Sequence, residues 1–437
     1  MADATASTSN NVVIVGAGLA GLSLALGLTS GTIKNSAGKD NDRWRVHLVE
    51  KQFNFSRTGA TFGLQPNGQK ALKELAPGIV EELNQVGLFI PQSGGTMLGW
   101  WNVRDALLAR VQQEASKPDG TAKISLHTGY LLQDVLDSED GVNVTFQKHK
   151  KQADSNSIEQ AGDSNLLTLQ ASILIGADGV NSSVRDHLGL PKAKWTNVVM
   201  WRSRLYIPPN KDDPKSTPAA DILRPYLDIP IVPLGVRLRG CTNYAFFNFH
   251  QKTPGTMALV ANYKLDQEQA DKSMQQFVPG TSVQSFLEAQ ADDEKEVQEI
   301  RAMAELCDHD GLHHPIKQKV VVLPEEDGKG WGGKGRITLL GDAAHALRPA
   351  SGQGGSMAFE DAVVLCRVLQ KKFGSSKQDQ APTKTEIEQA LQEYENTRLP
   401  RVRKLWVDQW ERAEATYKNI TVKPWDEEFS NWVFQGV

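Results

Sequence analysis

The chain has 437 residues, with 48 Lys and Arg against 52 Asp and Glu, a net charge of −4. That length suits two or three domains with a full core. The even charge balance excludes the strongly basic face that a nucleic-acid partner selects.

Residues 1–10, MADATASTSN, have neither a basic n-region nor an apolar h-region, so they read as a disordered leader rather than a secretory signal. The longest apolar run, Val12 to Leu28, is broken by Gly16, Gly18, Gly21 and Gly27 and is too short for a membrane span. It reads instead as a buried strand, Val12 to Val15, followed by Gly16-x-Gly18-x-x-Gly21 and a helix rich in Leu and Ala. Glycines at that spacing let the chain turn tightly, let backbone approach a pyrophosphate and let helix pack on strand. The phosphates then meet the N–H groups and positive dipole end of the helix. The fingerprint calls for an acidic residue at the end of the second strand, and Arg45 to Glu50 supplies Glu50 as the ribose ligand. Glu50 stands farther past Gly21 than the usual ~20 residues, and the polar stretch Ser30 to Arg43 accounts for the excess as a surface insertion. Lys51 follows Glu50 and is taken with it as a dinucleotide contact; Arg57, a short loop past the second strand, is a further candidate contact.

Helices are expected through about Arg110, with Arg104 on the amphipathic VRDALLARV. Polar β-hairpins are expected from Ile124 to Ile175, with a polar tip at Lys148 to Asn165, and alternating strands from Val198 to about Val322. In Trp201 to Ile207 the period of two puts Arg202, Arg204 and Tyr206 on one face. In Tyr244 to His250 it groups Tyr244, Phe246, Asn248 and His250. A strand arginine can bind a substrate carboxylate bidentately, and a histidine can take a phenolic proton; the plain alternative is that both face solvent. Residues 208–233 hold seven prolines, too many for a central strand, and read as a loop lid.

The glycine spacing recurs at Gly328-x-Gly330-x-x-Gly333, but here it precedes a strand and no helix opens after it. Gly335 also stands where a P-loop needs Ser or Thr. This stretch reads as a flexible loop. The strand Ile337 to Leu340 then ends on Gly341-Asp342 and runs into a glycine-rich loop, Pro349 to Gly355, with no lysine. A helix from about Ser356 to Lys372 follows. His345 reads as structural. The C-terminal helices carry Trp406, Trp410, Trp425 and Trp432, a packing surface or a homodimer contact. Three scattered cysteines, Cys241, Cys307 and Cys366, suggest neither a disulfide framework nor a metal site and fit a reducing, cytoplasmic setting.

Three segments together resemble the single-component FAD-dependent monooxygenases of the aromatic hydroxylase type, the salicylate- and para-hydroxybenzoate-hydroxylase-like and zeaxanthin-epoxidase-like enzymes. They are the N-terminal fingerprint, Ile173 to Arg185 with its Asp178-Gly179, and the Gly341-Asp342 stretch. Phe62 to Gly68, the helix around Arg104, Trp201-Arg202 and Tyr394-x-x-x-Arg398-x-Pro400-Arg401 match more weakly. The resemblance implies an α/β fold: a Rossmann-like FAD-binding domain (residues 11–190 and 325–375), an inserted β-sheet substrate domain (191–324) and C-terminal helices (376–437). It implies non-covalent FAD, with Asp342 accepting from a ribityl hydroxyl and Arg104 against the ribityl-phosphate part. Asp178 would lie near FAD and the pyridine nucleotide, and Pro349, Gly352, Gly354 and Gly355 would run along the pyrimidine side of the ring. It also implies that NAD(P)H visits transiently, that O₂ reacts through a C4a-hydroperoxide of the flavin, and that a small aromatic or unsaturated substrate is hydroxylated or epoxidised. Arg204, Tyr206 and His250 are then the catalytic candidates of the middle sheet. The rivals are a reductase or oxidase, a halogenase and a non-catalytic flavoprotein; WRSRLYIP (Trp201 to Pro208) lacks the second tryptophan of the halogenase motif Trp-x-Trp-x-Ile-Pro.

Overall fold

The computed structural model describes residues 10–30, 32–33, 43–55, 61–91, 93–118, 120–149, 165–227, 236–238, 242–248, 255–275, 294–307, 316–325, 330–349, 352–374, 381–418, 420 and 422–437. The first part of the chain forms β1 (Asn11–Val15), α1 (Leu19–Thr29), β2 (Arg45–Glu50), β3 (Thr61–Leu64), α2 (Pro66–Leu75), α3 (Ile79–Asn84), β4 (Leu88–Ile90) and β5 (Gly95–Gly99). Next come α4 (Trp100–Ala115), β6 (Ile124–Thr128), β7 (Tyr130–Asp137), β8 (Val142–Lys148), β9 (Leu166–Ala171), β10 (Ile173–Gly176) and α5 (Ser183–His187). The middle holds β11 (Lys194–Tyr206), α6 (Pro218–Leu223), β12 (Val236–Leu238), β13 (Thr242–Asn248), β14 (Thr256–Lys264), α7 (Gln267–Gln275), α8 (Glu294–Leu306) and β15 (Ile316–Val320). The chain ends with β16 (Ile337–Leu339), α9 (Asp342–His345), α10 (Gly354–Phe373), α11 (Lys384–Tyr417) and α12 (Glu427–Gln435).

A five-stranded sheet, ordered β16-β10-β1-β2-β6, is the centre of the first layer, and all its pairings are parallel. Its central strand reads Asn-Val-Val-Ile-Val and is buried from Val12 onward, as a strand covered on both faces requires. The covering helix α1 is buried at all eleven positions, so its sequence is apolar all round rather than on one stripe. The chain leaves this sheet after β10 and returns only at β16. Between them lies a second sheet, β12-β13-β14-β11-β15, whose pairings are antiparallel.

Expectations change here in several places. The stretch expected as helices through about Arg110 also carries β3, β4 and β5, a small antiparallel sheet, and the stretch expected as strands from Val198 to about Val322 also carries α7 and α8. The strands β6 and β10, expected within hairpins, belong to the parallel sheet; only β7, β8 and β9 form the antiparallel meander. Ile124 and Ile173 are fully buried beside β2 and β1, and that burial outweighs the polar residues between them. The proline-rich segment is also not simply a loop. Its described part folds α6 and a 3-10 turn, Arg224–Tyr226. Pro218 occupies the first turn of α6, where a missing N–H costs nothing, and Thr217 caps it by accepting from the Ala220 amide.

Helices α10 and α11 are joined by a buried ion network. Arg398 is wholly buried and donates to Glu360 at 2.9 Å and to Asp361 at 2.7 Å. Arg401 donates twice more to Glu360, at 2.7 and 2.8 Å. Two cations thus face two carboxylates, which is what allows all four to leave water.

Candidate flavin site

The N-terminal loop uses its three glycines differently. Gly16 has a φ of +105°, and an added Cβ would lie 2.4 Å from the Ala177 carbonyl. At Gly21 a Cβ would lie 1.9 Å from the Gly16 carbonyl, so α1 and its strand could not close. Gly18, the N-cap of α1, has an ordinary φ of −77°, and nothing in the protein would meet its Cβ. The chain itself therefore demands glycine at 16 and 21. At 18 nothing in the chain demands it. Glu50, at the end of β2, has its carboxylate beside this loop: it accepts from the Ala17 amide and from the Gln52 amide, each at 2.9 Å. Lys51 is exposed next to it.

A second helix start repeats the pattern. Gly354 opens α10, and an added Cβ there again meets nothing. Gly352 (φ +68°) is similarly open, while a Cβ at Gly355 would strike the Phe62 ring. Pro349 is exposed. Gly341 lies between the two helices, because a Cβ on it would be 3.0 Å from that of Ala20 in α1 and 3.3 Å from that of Ala358 in α10. Asp342 follows at that junction. Its side chain is exposed and makes no hydrogen bond among the described residues, although protein atoms crowd around it. That crowding raises its pKa; His345 opposes the shift and Asp361 adds to it.

Behind this junction the polar groups are fixed. His345 is buried and shares a 2.6 Å hydrogen bond with Asp361, which also accepts from the Gly341 amide at 3.0 Å. Burial alone would raise the Asp361 carboxyl, but His345 and Arg398 hold it at about 2. His345 thus works on the protein side of the loop. Asn67 donates to Glu360 at 2.7 Å and to Gln353 at 3.0 Å, and Gln353 is fully buried with its Nε2 lacking a partner. Asn67 and Gln353 carried no role in the sequence reading, and Asp361 only that of an acidic residue suited to the early turns of its helix. The only hint was the weak match of Phe62 to Gly68.

The remaining candidates fall in several places. Arg104 is neither exposed nor open. It lies buried between Trp100 (5.3 Å) and Phe55 (5.6 Å) and pairs with Asp105 at 2.6 Å. Asp178 accepts from the Ser182 hydroxyl, from the Ser183 hydroxyl (2.7 Å) and from the Ser183 amide (2.6 Å), which commits it to the start of α5. Tyr206 is exposed, and its hydroxyl faces Asp213 at 3.5 Å. Arg204 is placed by its backbone opposite Ala258 of β14. Arg57 and His250 lie outside the described residues, as do residues 1–9 of the leader and 150–164 of the polar tip.

The second glycine pattern is overturned as a flexible loop. From Gly330 onward it is pinned: the amides of Trp331, Gly332 and Gly333 donate to the Glu395 carboxylate at 2.9–3.3 Å. Thr338 adds its hydroxyl at 2.6 Å. The loop does hold an anion, and the anion is the chain's own.

The family model described as "FAD binding domain" matches residues 9–204 and 269–409. The chain belongs to the single-component FAD-dependent monooxygenase family. Among its relatives, 6-hydroxynicotinate 3-monooxygenase of Bordetella bronchiseptica is 26% identical over 376 residues, covering 82% of each chain. Two solved structures share the fold. One is HpxO of Klebsiella pneumoniae in complex with FAD and uric acid, with a TM-score of 0.63 and 19% identity over 98% of this chain and 92% of that one. The other is CtdE in complex with FAD and a substrate, with a TM-score of 0.69 and 16% identity over 98% and 95%. The monooxygenase therefore takes FAD as its cofactor, and an α/β Rossmann-like sheet presents it. Among the described residues no helix is long and apolar enough to cross a membrane, and no cluster of three or more His, Cys, Asp or Glu could hold a metal ion.

Proposed function

We propose that this monooxygenase uses NAD(P)H and O₂ to hydroxylate or epoxidise a small aromatic or unsaturated molecule. The balance is substrate, O₂, NAD(P)H and a proton to oxygenated product, NAD(P)⁺ and water. The observation that carries the cofactor placement is the unbonded Asp342 carboxylate at the junction of the α1 and α10 N-terminal turns. In this reading the first turn of α1 takes the pyrophosphate, with Gly18 giving the close approach and Glu50 accepting from the ribose. Asp342 accepts from a ribityl hydroxyl. The stretch Pro349 to Gly355 runs along the pyrimidine side of the ring, and the N-terminus of α10 favours the negative charge of the reduced ring without a lysine. FAD, when bound, supplies the redox and oxygen chemistry. The chain positions it, and the antiparallel sheet forms the substrate side, where Arg204, Tyr206 and His250 are the candidate contacts. Arg104, buried between two aromatic rings, would act on the ribityl-phosphate side by shaping the wall.

The test is NAD(P)H consumption by the purified yellow protein across a panel of phenols, hydroxylated N-heterocycles and conjugated alkenes. The expected result is stimulation by a subset, with a product one oxygen heavier. Consumption that no substrate stimulates, with all reducing equivalents recovered as hydrogen peroxide, would support an oxidase instead. Acid precipitation is expected to release all the flavin; colour left in the pellet would refute non-covalent attachment.

A further inference from the structure

Arg348 directly precedes the Pro349–Gly355 loop and is buried, although it is a cation on a connecting segment. Its guanidinium carbon sits 3.8 Å from the centroid of the Trp410 ring, and its Nη1 donates to Glu414 at 2.7 Å. Both partners lie on α11. Trp406, one turn earlier, stacks on Trp410 with centroids 5.2 Å apart. The Trp406 indole donates to the Val321 carbonyl at 3.0 Å, and the Val321 amide donates to the Ala346 carbonyl at 3.1 Å. The segment entering the loop is thus held twice, by its backbone at Ala346 and by its side chain at Arg348. Glu414 also approaches Lys264, the last residue of β14, at 3.8 Å. The far end of the loop is held independently by Asn67 and Gln353.

Packing alone does not call for arginine here. A buried cation loses its hydration, and an apolar side chain would cover Trp410 without that loss. Arginine does what neither leucine nor lysine can: its plane stacks on the ring while its edge pairs with a carboxylate. The hydrogen bond from Arg348 in turn holds the Glu414 carboxyl below the usual range, although partial burial opposes it.

We infer that Arg348 is a positioning residue: clasped between Trp410 and Glu414, it fixes the entrance of the 349–355 loop and ties that loop, through α11, to the antiparallel sheet. This rests on the reading that the loop flanks the flavin. Through the clasp, the sheet proposed as the substrate side and the loop proposed beside the cofactor share one helix. α11 is itself anchored to α10 by Arg398.

The test compares the full-length, FAD-loaded wild type with Arg348→Ala, Arg348→Lys and Glu414→Gln. Three quantities are read: FAD content, iodide quenching of the bound-flavin fluorescence, and amide hydrogen exchange of the 349–357 peptide. Arg348→Ala is expected to keep its FAD while both quenching and loop exchange rise severalfold. Arg348→Lys is expected to rescue part of the effect, because it keeps the charge opposite Glu414 and loses the stacking plane. Wild-type quenching and exchange in Arg348→Ala overturn the proposal. If that variant does not fold, wild-type behaviour of both Arg348→Lys and Glu414→Gln overturns it. Faster loop exchange with unchanged quenching upholds the clasp and brings down the placement of the loop beside the flavin.

Discussion

Two loops in this chain carry the same glycine spacing, at Gly16 to Gly21 and at Gly328 to Gly333. The first opens α1 and leaves its middle glycine facing open space. The second turns its amides onto Glu395, and a Cβ at Gly330 would lie 2.1 Å from that carboxylate. Both present backbone donors to an anion, as glycine-rich turns do. What separates them is how far the chain's own carboxylate fills the loop: Glu50 takes one amide of the first, Ala17, and Glu395 takes three of the second. Burial pushes the Glu395 carboxyl above its ordinary range, against the pull of Thr338 and the three amides. The second loop is a structural joint between α11 and the parallel sheet, and the first is the one we propose as the pyrophosphate receptor.

The comparison breaks most visibly at Glu395. Its replacement by Ala strands three amides and a hydroxyl in the interior, and each unmatched donor costs about 1–3 kcal/mol. The expected outcome is a loss of melting temperature larger than for any other change named here, with FAD still bound by the protein that remains folded. A melt indistinguishable from wild type would mean that the second loop stands without its anion.

Gly18→Val is the reciprocal test. Nothing in the chain lies within 4 Å of the added Cβ, so the FAD-free protein should stay folded, with a stability loss of no more than about 1 kcal/mol, while FAD titration shows a strong loss of affinity. Unchanged affinity would remove the pyrophosphate from this loop. Asp342→Ala should weaken FAD roughly ten- to hundredfold, since a hydrogen bond to a charged acceptor is worth about 1.5–3 kcal/mol. Wild-type FAD content after dialysis would take Asp342 out of the site.

The smallest effect concerns the edge of the parallel sheet, away from both loops. His47 and His127 face each other across β2 and β6 at 3.3 Å. Burial, then repulsion from His47, lowers His127 to about 4 from 6.5. The folded state holds this ring neutral while the unfolded chain protonates it, so stability is full above pH 6.5 and declines as pH falls toward 4. The melting temperature should drop over that interval, and His127→Gln should flatten part of the drop. An identical pH profile in the variant would assign the decline to other groups.

Much of the cofactor face could be read from the chain because it is local. The strand–glycine–helix order at Val12 to Leu28 and the Gly341-Asp342 stretch each place a strand end, a turn and a helix start within a few residues. The helix after the loop begins at Gly354, two residues before the expected Ser356, because helix periodicity marks the apolar face better than the first turn. The spacing of Glu50 survived a polar insertion, since a strand end and a loop are brought together by pairing, not by sequence distance. The same locality misled at β6, where a polar stretch hid a partner in the parallel sheet.

By itself the sequence determined which backbone segments can turn, which helix starts can meet an anion and which strand is covered on both faces, since these depend on φ, ψ and side-chain pattern over a handful of neighbours. Only the tertiary structure decided which donors are left over. Glu395 stands more than sixty residues after the amides it satisfies, and Arg348 finds Trp410 and Glu414 across a similar separation. A buried polar group must be matched by whatever partner the fold brings near, and neither glycine spacing nor hydrophobic period encodes that partner. For this reason one of two loops of the same pattern closes on Glu395, and the other stays open at Gly18.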